Sequence, residues 1–343
     1  MHIALFAPYS KGPTRGNITS VQRIARHLQM HGLQTDLIFL DATDLPSRLQ
    51  DLVLEPPTLL HGFHAFHAGP LTRTTAQKLG LPYLITLTGS DLFDPVLRDH
   101  TETRKALHDA ATVTCFDPLV AELAIQAFPQ TFSKLHVIPQ GVEPFQETIP
   151  LEKPSDSFVV LLPAALRAVK GIDSAIEQLA PLALEQPRLQ LWIAGGELDY
   201  QYAATVRALA AKLPWVNLLG EVPHQAMGAL YAAADLVLNS SQFEGGMANA
   251  LLEAMVMGKP VLARDVPGNR SLIRNRETGW LFQNGEELCC LIRQLMANPT
   301  LRNTVARQAQ QHVLTQYSPQ REAKLLIQLY RSLLASPVCN RAK

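Results

Sequence analysis

The chain has 343 residues, which is too long for one average core and suits two domains of ordinary size. Hydrophobic residues make up 47% of it and charged residues 17%, a composition typical of globular domains with well-filled cores. Lys plus Arg and Asp plus Glu both number 30, so the chain lacks the net positive charge that attracts nucleic acid, and we exclude nucleic acid as a partner.

The first residues, Met1 to Ala7, carry no cationic segment and no long apolar core, so we expect a first strand there and no signal peptide. No uninterrupted apolar run approaches the roughly 20 residues that span a bilayer. The four cysteines, Cys115, Cys289, Cys290 and Cys339, have no C-x-x-C spacing and no accompanying histidines. We therefore expect a cytoplasmic protein with reduced thiols, no metal site and no transmembrane segment; the sequence predicts no oligomeric state.

Short apolar runs alternate with helical patterns along the whole chain, which is typical of parallel sheets with helices on both faces. In the first half the predicted strands cover residues 3–7, 37–40, 59–60, 83–87, 113–115 and 135–138. In the second half they cover residues 158–162, 189–194, 216–219, 236–238, 261–262 and 280–282. The pattern predicts an α/β protein of two doubly wound, Rossmann-like domains that face each other across a cleft.

The domain boundary is expected between residues 144 and 154, a stretch with three prolines and few apolar side chains. We accordingly predict an N-terminal domain over 1–146 and a C-terminal domain over 154–317. A last helix over 318–335 has an apolar stripe that needs a surface to cover, and it begins with Ser318 and Pro319, which are common at a helix start.

Ligands of such sheets bind outside the carboxyl ends of the strands, so the loops after strands are the candidate sites. The loop after the first strand contains Arg15, Gly16 and Asn17 next to a helix start, where Arg15 could meet an anionic acceptor or a diphosphate. A glycine-rich loop at this place is also common in doubly wound domains of any function, so simple exposure of Arg15 is an alternative interpretation.

Three histidines, His61, His64 and His67, follow the third strand. Their spacing of three does not match the alternation of a strand, so they do not all face one way. We expect His67, and next His64, to line the cleft. A zinc site is disfavoured because no carboxylate or cysteine accompanies them.

In the second half, Arg167 and Lys170 follow the first predicted strand. Two cations at this place can converge on a diphosphate. Arg can bind phosphate oxygens through two N–H groups of its planar guanidinium, and Lys binds as a compact positive charge. A cation pair on a surface loop is more often only solvated. The next strand ends in a glycine turn at Gly195, another candidate for ligand contact.

The most informative stretch runs from Ser240 to Pro260 and reads as a glycine turn and a helix that follow a strand. Gly245 and Gly246, placed at the predicted helix start, let a ligand approach N–H groups that favour an anion. Glu244 precedes this turn, and Glu253 is expected about two turns into the helix. An ordinary strand-to-helix turn with two solvated glutamates is the alternative.

This arrangement resembles the signature of retaining glycosyltransferases of the GT-B fold, in the glycogen-synthase-like family (glycosyltransferase family four type). That signature has a serine, a glutamate, a glycine turn, and a second glutamate within Leu252-Glu253-Ala254-Met255. Eight residues separate Glu244 from Glu253, where the family has seven, so one residue near Gly246-Met247 reads as an insertion. The resemblance covers nearly the whole chain.

Four further segments carry a finer resemblance: Arg15-Gly16-Asn17, Leu166-Arg167-x-x-Lys170, Glu244-Gly245-Gly246 and Val266-Pro267-Gly268-Asn269. Together they resemble two sub-branches, the selenosugar synthases and the glycosyltransferase 1 domain-containing proteins, and the sequence does not choose between them.

The resemblance implies transfer of a sugar, with retention of anomeric configuration, from a nucleotide diphosphate donor to a small-molecule or glycan acceptor. UDP is preferred over GDP, the nucleotide sugar is a co-substrate, and neither a cofactor nor a metal is expected. Arg167, Lys170 and the amides near Gly245-Gly246 would bear the charge of the leaving diphosphate. Glu244 would position the donor sugar. The other residues implied in donor binding are Met247, Ala248, Gly195, Glu253 for the ribose hydroxyls, and Val222, whose backbone would receive the base.

The N-terminal loops would hold the acceptor, with His67 among the catalytic candidates. After the fourth strand, Thr88, Gly89 and Ser90 could donate hydrogen bonds to a sugar or phosphate. Relatives carry a histidine where Thr88 stands, so the role of that histidine does not transfer to this chain.

Three other functions are left open by the sequence. A selenosugar synthase would use UDP-N-acetylglucosamine and selenophosphate and would differ only in the N-terminal loops. A nucleotide-sugar epimerase shares the two-domain architecture but requires a carboxylate and a base that we cannot assign. A non-catalytic nucleotide-sugar binder would result if the inserted residue displaces Glu244.

Overall fold

The computed structural model describes residues 1–10, 16–146, 151–244 and 246–335, with side chains of the second range from Ile18 onward. It contains two six-stranded sheets in which every strand pairing is parallel. The chain divides into two compact units, unit 1 with Met1–Gly141 and Tyr317–Lys343, and unit 2 with Val142–Gln316. None of the helices in the described ranges combines the length and the apolarity needed to cross a membrane.

Unit 1 is a sheet with the strand order β2-β1-β3-β4-β5-β6 and helices packed on both of its faces. Its strands are β1 (His2–Ala7), β2 (Gln34–Phe39), β3 (Leu59–Phe63), β4 (Tyr83–Thr86), β5 (Thr112–Cys115) and β6 (Leu135–Val137). Its first helices are α1 (Gly16–Met30), α2 (Leu45–Leu54), α3 (Gly69–Leu79), α4 (Ser90–Phe93), α5 (Pro95–Arg98), α6 (Thr101–Asp109) and α7 (Pro118–Ala127).

The last helix of the chain, α15 (Pro319–Ala335), belongs to unit 1 and completes one face of its sheet. Its apolar stripe packs against α1 and the strands, with Leu326 and Tyr330 fully enclosed in that core. The hydroxyl of Tyr330 lies 2.7 Å from Nδ1 of His61 in β3, which fixes the helix over the sheet. Burial of this stripe supplies the apolar surface that an amphipathic helix needs.

A buried ion pair joins the two helices that meet on this face. The guanidinium of Arg23 in α1 donates to both carboxylate oxygens of Glu322 in α15, at 3.1 to 3.2 Å. Gly141, the last residue before unit 2, packs so closely that a Cβ there would lie 2.6 Å from Cα of Pro319 and 2.9 Å from Oε2 of Glu322. Gly141 therefore packs directly against the first turn of α15.

Unit 2 is a sheet with the order β12-β11-β10-β7-β8-β9. Its strands are β7 (Phe158–Pro163), β8 (Leu189–Ala194), β9 (Val216–Gly220), β10 (Leu236–Asn239), β11 (Val261–Arg264) and β12 (Trp280–Phe282). Its helices are α8 (Ile172–Glu185), α9 (Tyr200–Ala210), α10 (Met227–Ala233), α11 (Asn249–Val256), α12 (Pro267–Arg270), α13 (Gly285–Ala297) and α14 (Pro299–Gln316).

The predicted α/β class with two parallel, doubly wound sheets is confirmed, and each of the twelve apolar runs forms a strand. Central strands such as β1, β3 and β7 are buried almost throughout, which explains their continuous apolar sequence. The strand order brings the carboxyl ends of β7 and β10 next to each other in unit 2, because these two strands are paired.

Candidate functional site

The loops that follow β7 and β10 are joined through an ion pair between Lys170 and Glu244. Lys170 Nζ donates to Glu244 Oε1 at 2.6 Å, although the two residues are 74 positions apart. Two further hydrogen bonds hold the loops together. The Ser240 hydroxyl donates to the carbonyl of Lys170 at 2.8 Å, and the amide of Gln242 donates to the carbonyl of Val169 at 2.9 Å. Two segments predicted as anion-binding loops thus form one surface at the carboxyl edge of the sheet.

Glycine at position 171 makes this close approach possible. Gly171 has a φ of +56°, and a Cβ on it would lie 2.8 Å from the carbonyl oxygen of Ser240. A side chain here would push the loop after β7 away from the loop after β10. In the sequence Lys170-Gly171, Lys170 therefore supplies the cation, and Gly171 allows the close packing of the two loops that places this cation next to Glu244.

Glu244 is only 9% exposed and is held by three donors. Besides Lys170, the Ser241 hydroxyl donates to Oε1 at 2.6 Å and the Asn239 side-chain amide at 3.1 Å. Burial alone raises the pKa of Glu244, but the Lys170 charge and these hydrogen bonds outweigh it and hold the pKa below its usual value. The carboxylate is thus ionised, and its Oε2 bonds to no residue in the described ranges.

Arg167 lies three residues before Lys170, in extended conformation at the entry to a short turn, and its side chain is exposed. It thus stands on the same loop as Lys170 at the carboxyl end of β7. The structure places both predicted cations at the edge of the sheet where Glu244 lies.

The predicted start of the signature helix needs correction. Helix α11 begins at Asn249, with Ala248 before it in extended conformation, so the first-turn N–H groups are not those of the glycines. Glycine is a poor helix former, and the turn therefore ends before the helix starts. Glu253 consequently stands one turn into α11 and not two. Gly245 lies outside the described residues.

The segment between the glycine turn and α11 is packed into the unit. Met247 and Ala248 are buried, at 8% and 7% exposure. A Cβ on Gly268 would lie 2.4 Å from the carbonyl oxygen of Glu244 and 2.6 Å from that of Gly246, which shows that α12 supports this turn from behind.

Glu253 lies in a second cluster of unit 2, separate from the Lys170 pair. Its Oε1 is 2.7 Å from Nε2 of His224, and its Oε2 accepts from the Tyr231 hydroxyl at 2.8 Å. The ring of Phe145 packs on both partners, with centroids 5.1 Å from His224 and 5.7 Å from Tyr231. The carboxylate is therefore fixed in position at both oxygens.

Two further predicted donor residues lie at neighbouring strand ends. Val222 is half-buried in the loop after β9, two residues before His224. Gly195 follows β8, where a Cβ would lie 2.0 Å from the carbonyl oxygen of Ala164. The absence of a side chain at Gly195 is thus explained by packing between two backbones, and donor contact there stays a prediction.

In unit 1, the loop after β3 is organised around His64, which is 2% exposed and has a φ of +85°. Its Nδ1 accepts from the amides of Phe66 and His67 at 3.2 Å, and its Nε2 lies 2.9 Å from the Ser90 hydroxyl. Both ring nitrogens have protein partners, two amides of the same loop and the Ser90 hydroxyl after β4, and this together with the burial argues against direct contact of His64 with a ligand.

The loop after β4 is held by the buried carboxylate of Asp91. It accepts from the amides of Thr88 and Gly89 at 3.0 and 2.8 Å, and from the amide of Ala65 at 2.8 Å. The amides of Thr88 and Gly89 therefore have protein acceptors, while the residue Ser90 is exposed. These contacts join the loops after β3 and β4.

His67 is half-buried, with its ring 4.3 Å from that of His64 and 5.9 Å from that of Tyr9 after β1. Of the predicted histidines it is the one at the surface of its loop, and a role in acceptor binding stays a prediction. Arg15 lies outside the described residues, as does the side chain of Asn17, while Gly16 begins α1.

Sequence reasoning missed His224, Tyr231 and Asn239 as parts of these two clusters. Asn239 could have been recognised from the sequence as a candidate site residue, since it is a polar residue that ends the apolar strand β10 directly before the serines. His224 and Tyr231 had none, because they lie 29 and 22 positions from Glu253 and only the fold brings them to it.

The chain is similar to known glycosyltransferases. A model of the family described as "Glycosyl transferases group 1" matches residues 146–312. A glycosyltransferase 1 domain-containing protein 1 from Xenopus tropicalis is 29% identical over 330 residues, covering 88% of this chain and 90% of the relative.

Solved structures share the fold over almost the whole chain. A sucrose-phosphate synthase from Thermosynechococcus elongatus has a TM-score of 0.83 at 20% identity, covering 97% of this chain and 99% of that one. The Anabaena protein Alr3699/HepE in complex with UDP-glucose has a TM-score of 0.74 at 18% identity, covering 97% and 100%. These likenesses show that the chain has the GT-B fold, and the similarity to the glycosyl transferases group 1 model lies in residues 146–312.

Proposed function

We propose that this protein is a glycosyltransferase that moves a sugar from a UDP-sugar to a small-molecule or glycan acceptor with retention of anomeric configuration. The observation that carries the proposal is the contact between Lys170 and Glu244, 2.6 Å apart on two neighbouring strand-end loops. It unites a cation for phosphate with a carboxylate for sugar hydroxyls on one surface.

The positive groups of this surface suit a departing diphosphate. The Lys170 ammonium has three N–H donors and gives one to Glu244, which leaves others for phosphate oxygens. Arg167 on the same loop offers a planar fork for the same group. Donors that are already in place when charge develops typically lower a barrier by several kcal/mol. No metal is placed in this mechanism, because these cations supply the charge.

Glu244 suits the donor sugar. Its Oε1 takes all three protein donors, so Oε2 can accept a sugar hydroxyl without loss of an existing contact. Because the carboxylate is ionised and held on one side, it accepts at a fixed position. The extra residue between Glu244 and Glu253 has not removed Glu244 from the sheet edge, which argues against the non-catalytic alternative.

Glu253 suits the ribose. A carboxylate has about four acceptor sites, and His224 and Tyr231 use one on each oxygen, so sites for the two ribose hydroxyls are left. The base would then be received by the backbone near Val222. The UDP and UDP-glucose complexes of the Anabaena protein support UDP as the nucleotide.

In the proposed reaction the leaving phosphate takes the acceptor proton on the face from which it departs, so the protein need not supply a base. The loops after β3 and β4 of unit 1, with His67, Thr88 and Ser90, would hold the acceptor. Likeness to a glycosyltransferase 1 domain-containing protein over 90% of its length favours that sub-branch over the selenosugar synthases.

A panel of donors tests the proposal. The purified protein is incubated with UDP-glucose, UDP-N-acetylglucosamine, UDP-galactose and GDP-mannose, and the midpoint of thermal unfolding and donor hydrolysis are measured. We expect one UDP-sugar to stabilise the protein and to be hydrolysed slowly. Both effects should be lost in Lys170→Met and Glu253→Gln and kept in the exposed controls Lys212→Met and Glu221→Gln. Stabilisation by no nucleotide sugar would refute the proposal.

Product analysis separates the remaining alternatives. Nuclear magnetic resonance of the released or transferred sugar should show the anomeric configuration of the donor. A product formed only with UDP-N-acetylglucosamine and selenophosphate would identify a selenosugar synthase. Conversion of a free UDP-sugar to its epimer would identify an epimerase.

A further inference from the structure

Unit 2 contains an open pocket of about 440 Å³ beyond the Lys170 and Glu244 surface. It lies where β11 and β12 end, next to the loop after β10. A pocket of this size suits a ligand as large as a monosaccharide derivative. The side chains that line it are those of Gln242, Arg264, Asp265, Val266, Arg270 and Gln283.

The acidic group of the pocket is already neutralised. Arg270 donates to both carboxylate oxygens of Asp265, at 2.5 and 3.1 Å, and the Gln283 amide approaches Asp265 Oδ2 at 3.5 Å. The hydrogen bond from Arg270 lowers the pKa of Asp265, which keeps this carboxylate ionised and paired. Asp265 therefore neither attracts a cation nor repels an anion strongly.

Arg264 leaves the pocket with one positive charge in excess. It is the last residue of β11 and is half-buried. Its guanidinium makes no hydrogen bond or ion pair with the part of the chain that the structure describes. By contrast, Arg23 and Arg270 each meet a carboxylate through two nitrogens. A guanidinium offers five N–H donors in a fork that fits an oxyanion, and the carboxylate of this pocket, that of Asp265, is already held by Arg270.

Two amides flank this cation. Gln242 is exposed on the loop after β10, and Gln283 is exposed directly after β12. Side-chain amides are neutral donors that can complete the hydrogen bonding of a phosphate or carboxylate. The pocket thus combines one unpaired guanidinium with neutral donors on two sides.

We propose that this pocket binds the oxyanion of a monosaccharide-sized ligand, a phosphate ester or a carboxylate, through the fork of Arg264 with Gln242 and Gln283 as further donors. Gln242 lies two residues before Glu244, so the pocket borders the surface assigned to the donor sugar. The inference stands on the pocket alone and does not require that the chain transfers a sugar; only the competition with UDP rests on the proposed nucleotide site at Lys170 and Arg167.

Calorimetric titration tests this inference on the full chain. The probes are glucose 6-phosphate, glucuronate and, as the neutral control, glucose. Each titration is done without UDP and again with saturating UDP, so that an anion bound at Lys170 and Arg167 is displaced and one in the pocket is not. We expect glucose 6-phosphate or glucuronate to bind in both conditions and glucose to bind in neither. The anion that binds identifies the phosphate or the carboxylate as the ligand group.

Variants locate the binding. Arg264→Gln should weaken binding of the anion at least about tenfold, because the charged hydrogen bonds from the guanidinium to the anion are lost. Arg264→Lys should keep part of the affinity, and Arg307→Gln, an exposed arginine on α14, should keep all of it. If Arg264→Gln does not fold, Gln283→Met on the surface should still weaken binding. Absence of binding by both anions, equal binding to Arg264→Gln, or displacement by UDP would overturn the inference.

Discussion

Lys170 and Glu244 form a buried ion pair in which Nζ and Oε1 are 2.6 Å apart, with side chains 17% and 11% exposed. Asn239 and Ser241 add hydrogen bonds to the same oxygen. The pair holds together the two loops on which donor binding would depend. It therefore links the stability of the sheet edge to its proposed function.

The pair predicts a pH dependence of stability. The pKa of Glu244 lies below its ordinary value of 4.5 in the folded protein, so its stabilisation is complete above pH 4.5 and is lost as the pH falls through the lower, folded-state pKa. We expect the free energy of unfolding of the native protein to exceed that of Glu244→Gln at pH 7, with the difference shrinking in acid.

Urea unfolding from pH 7 to pH 3 measures this difference. The exposed Glu221→Gln serves as the control and should show no comparable change with pH. A difference between native protein and Glu244→Gln that stays constant over the whole range would contradict the assignment of an ionised, paired Glu244.

The pair of Arg23 and Glu322 predicts a large loss of stability on removal of one partner. Burial raises the pKa of Glu322, and Arg23 and the Gly141 amide oppose that rise. Arg23→Met leaves a buried carboxylate without its cation, which should cost about 3–5 kcal/mol of unfolding free energy at pH 8.

The sign of the pH effect is opposite to that of Glu244. Because the raised folded-state pKa favours the protonated form, the loss in Arg23→Met should be smaller at pH 5 than at pH 8. The double variant Arg23→Met, Glu322→Met should recover much of the stability, since no charge is left buried. An equal loss for the single and double variants would show that packing, and not charge, decides stability here.

Gly171 predicts a steric effect on the candidate site. Gly171→Ala combines a φ of +56° with a Cβ 2.8 Å from the Ser240 carbonyl, whereas Gly80→Ala has a similar φ of +65° and nothing within 4 Å. The control should cost about 1–2 kcal/mol for the left-handed backbone conformation alone. Gly171→Ala should cost more, and it should also weaken binding of the donor that stabilises the native protein, because the two loops are pushed apart.

Thermal and urea unfolding with and without donor distinguish the two effects. Equal losses of stability in the two glycine variants, with unchanged donor binding in Gly171→Ala, would show that the close approach at Ser240 has no functional consequence.

The sequence predicted the fold well because its signal is local. Strands such as β1 and β7 are short apolar runs that lack the 3.6-residue periodicity of an amphipathic helix. Turn residues separate each run from the next predicted element. The cations and Glu244 could be placed for a similar reason, since each follows a strand and the carboxyl ends of parallel strands share one edge.

What the sequence could not give were contacts that depend on strand order. The order β10-β7 is a crossover, so nothing local showed that Lys170 would reach Glu244 itself and not only the same edge. The contacts of Glu253 with His224 and Tyr231 were hidden in the same way. The start of α11 was misplaced, because glycines before a helix do not show where extended backbone gives way to helical backbone.

The central claim is that Lys170 and Glu244 act together on one donor. A double-mutant cycle with Lys170→Met, Glu244→Gln and both, measuring the dissociation constant of the stabilising UDP-sugar by calorimetry, tests it most directly. We predict that each single variant weakens binding at least about tenfold and that the double variant is little worse than either, because the groups form one unit. Native affinity in both single variants would contradict the account.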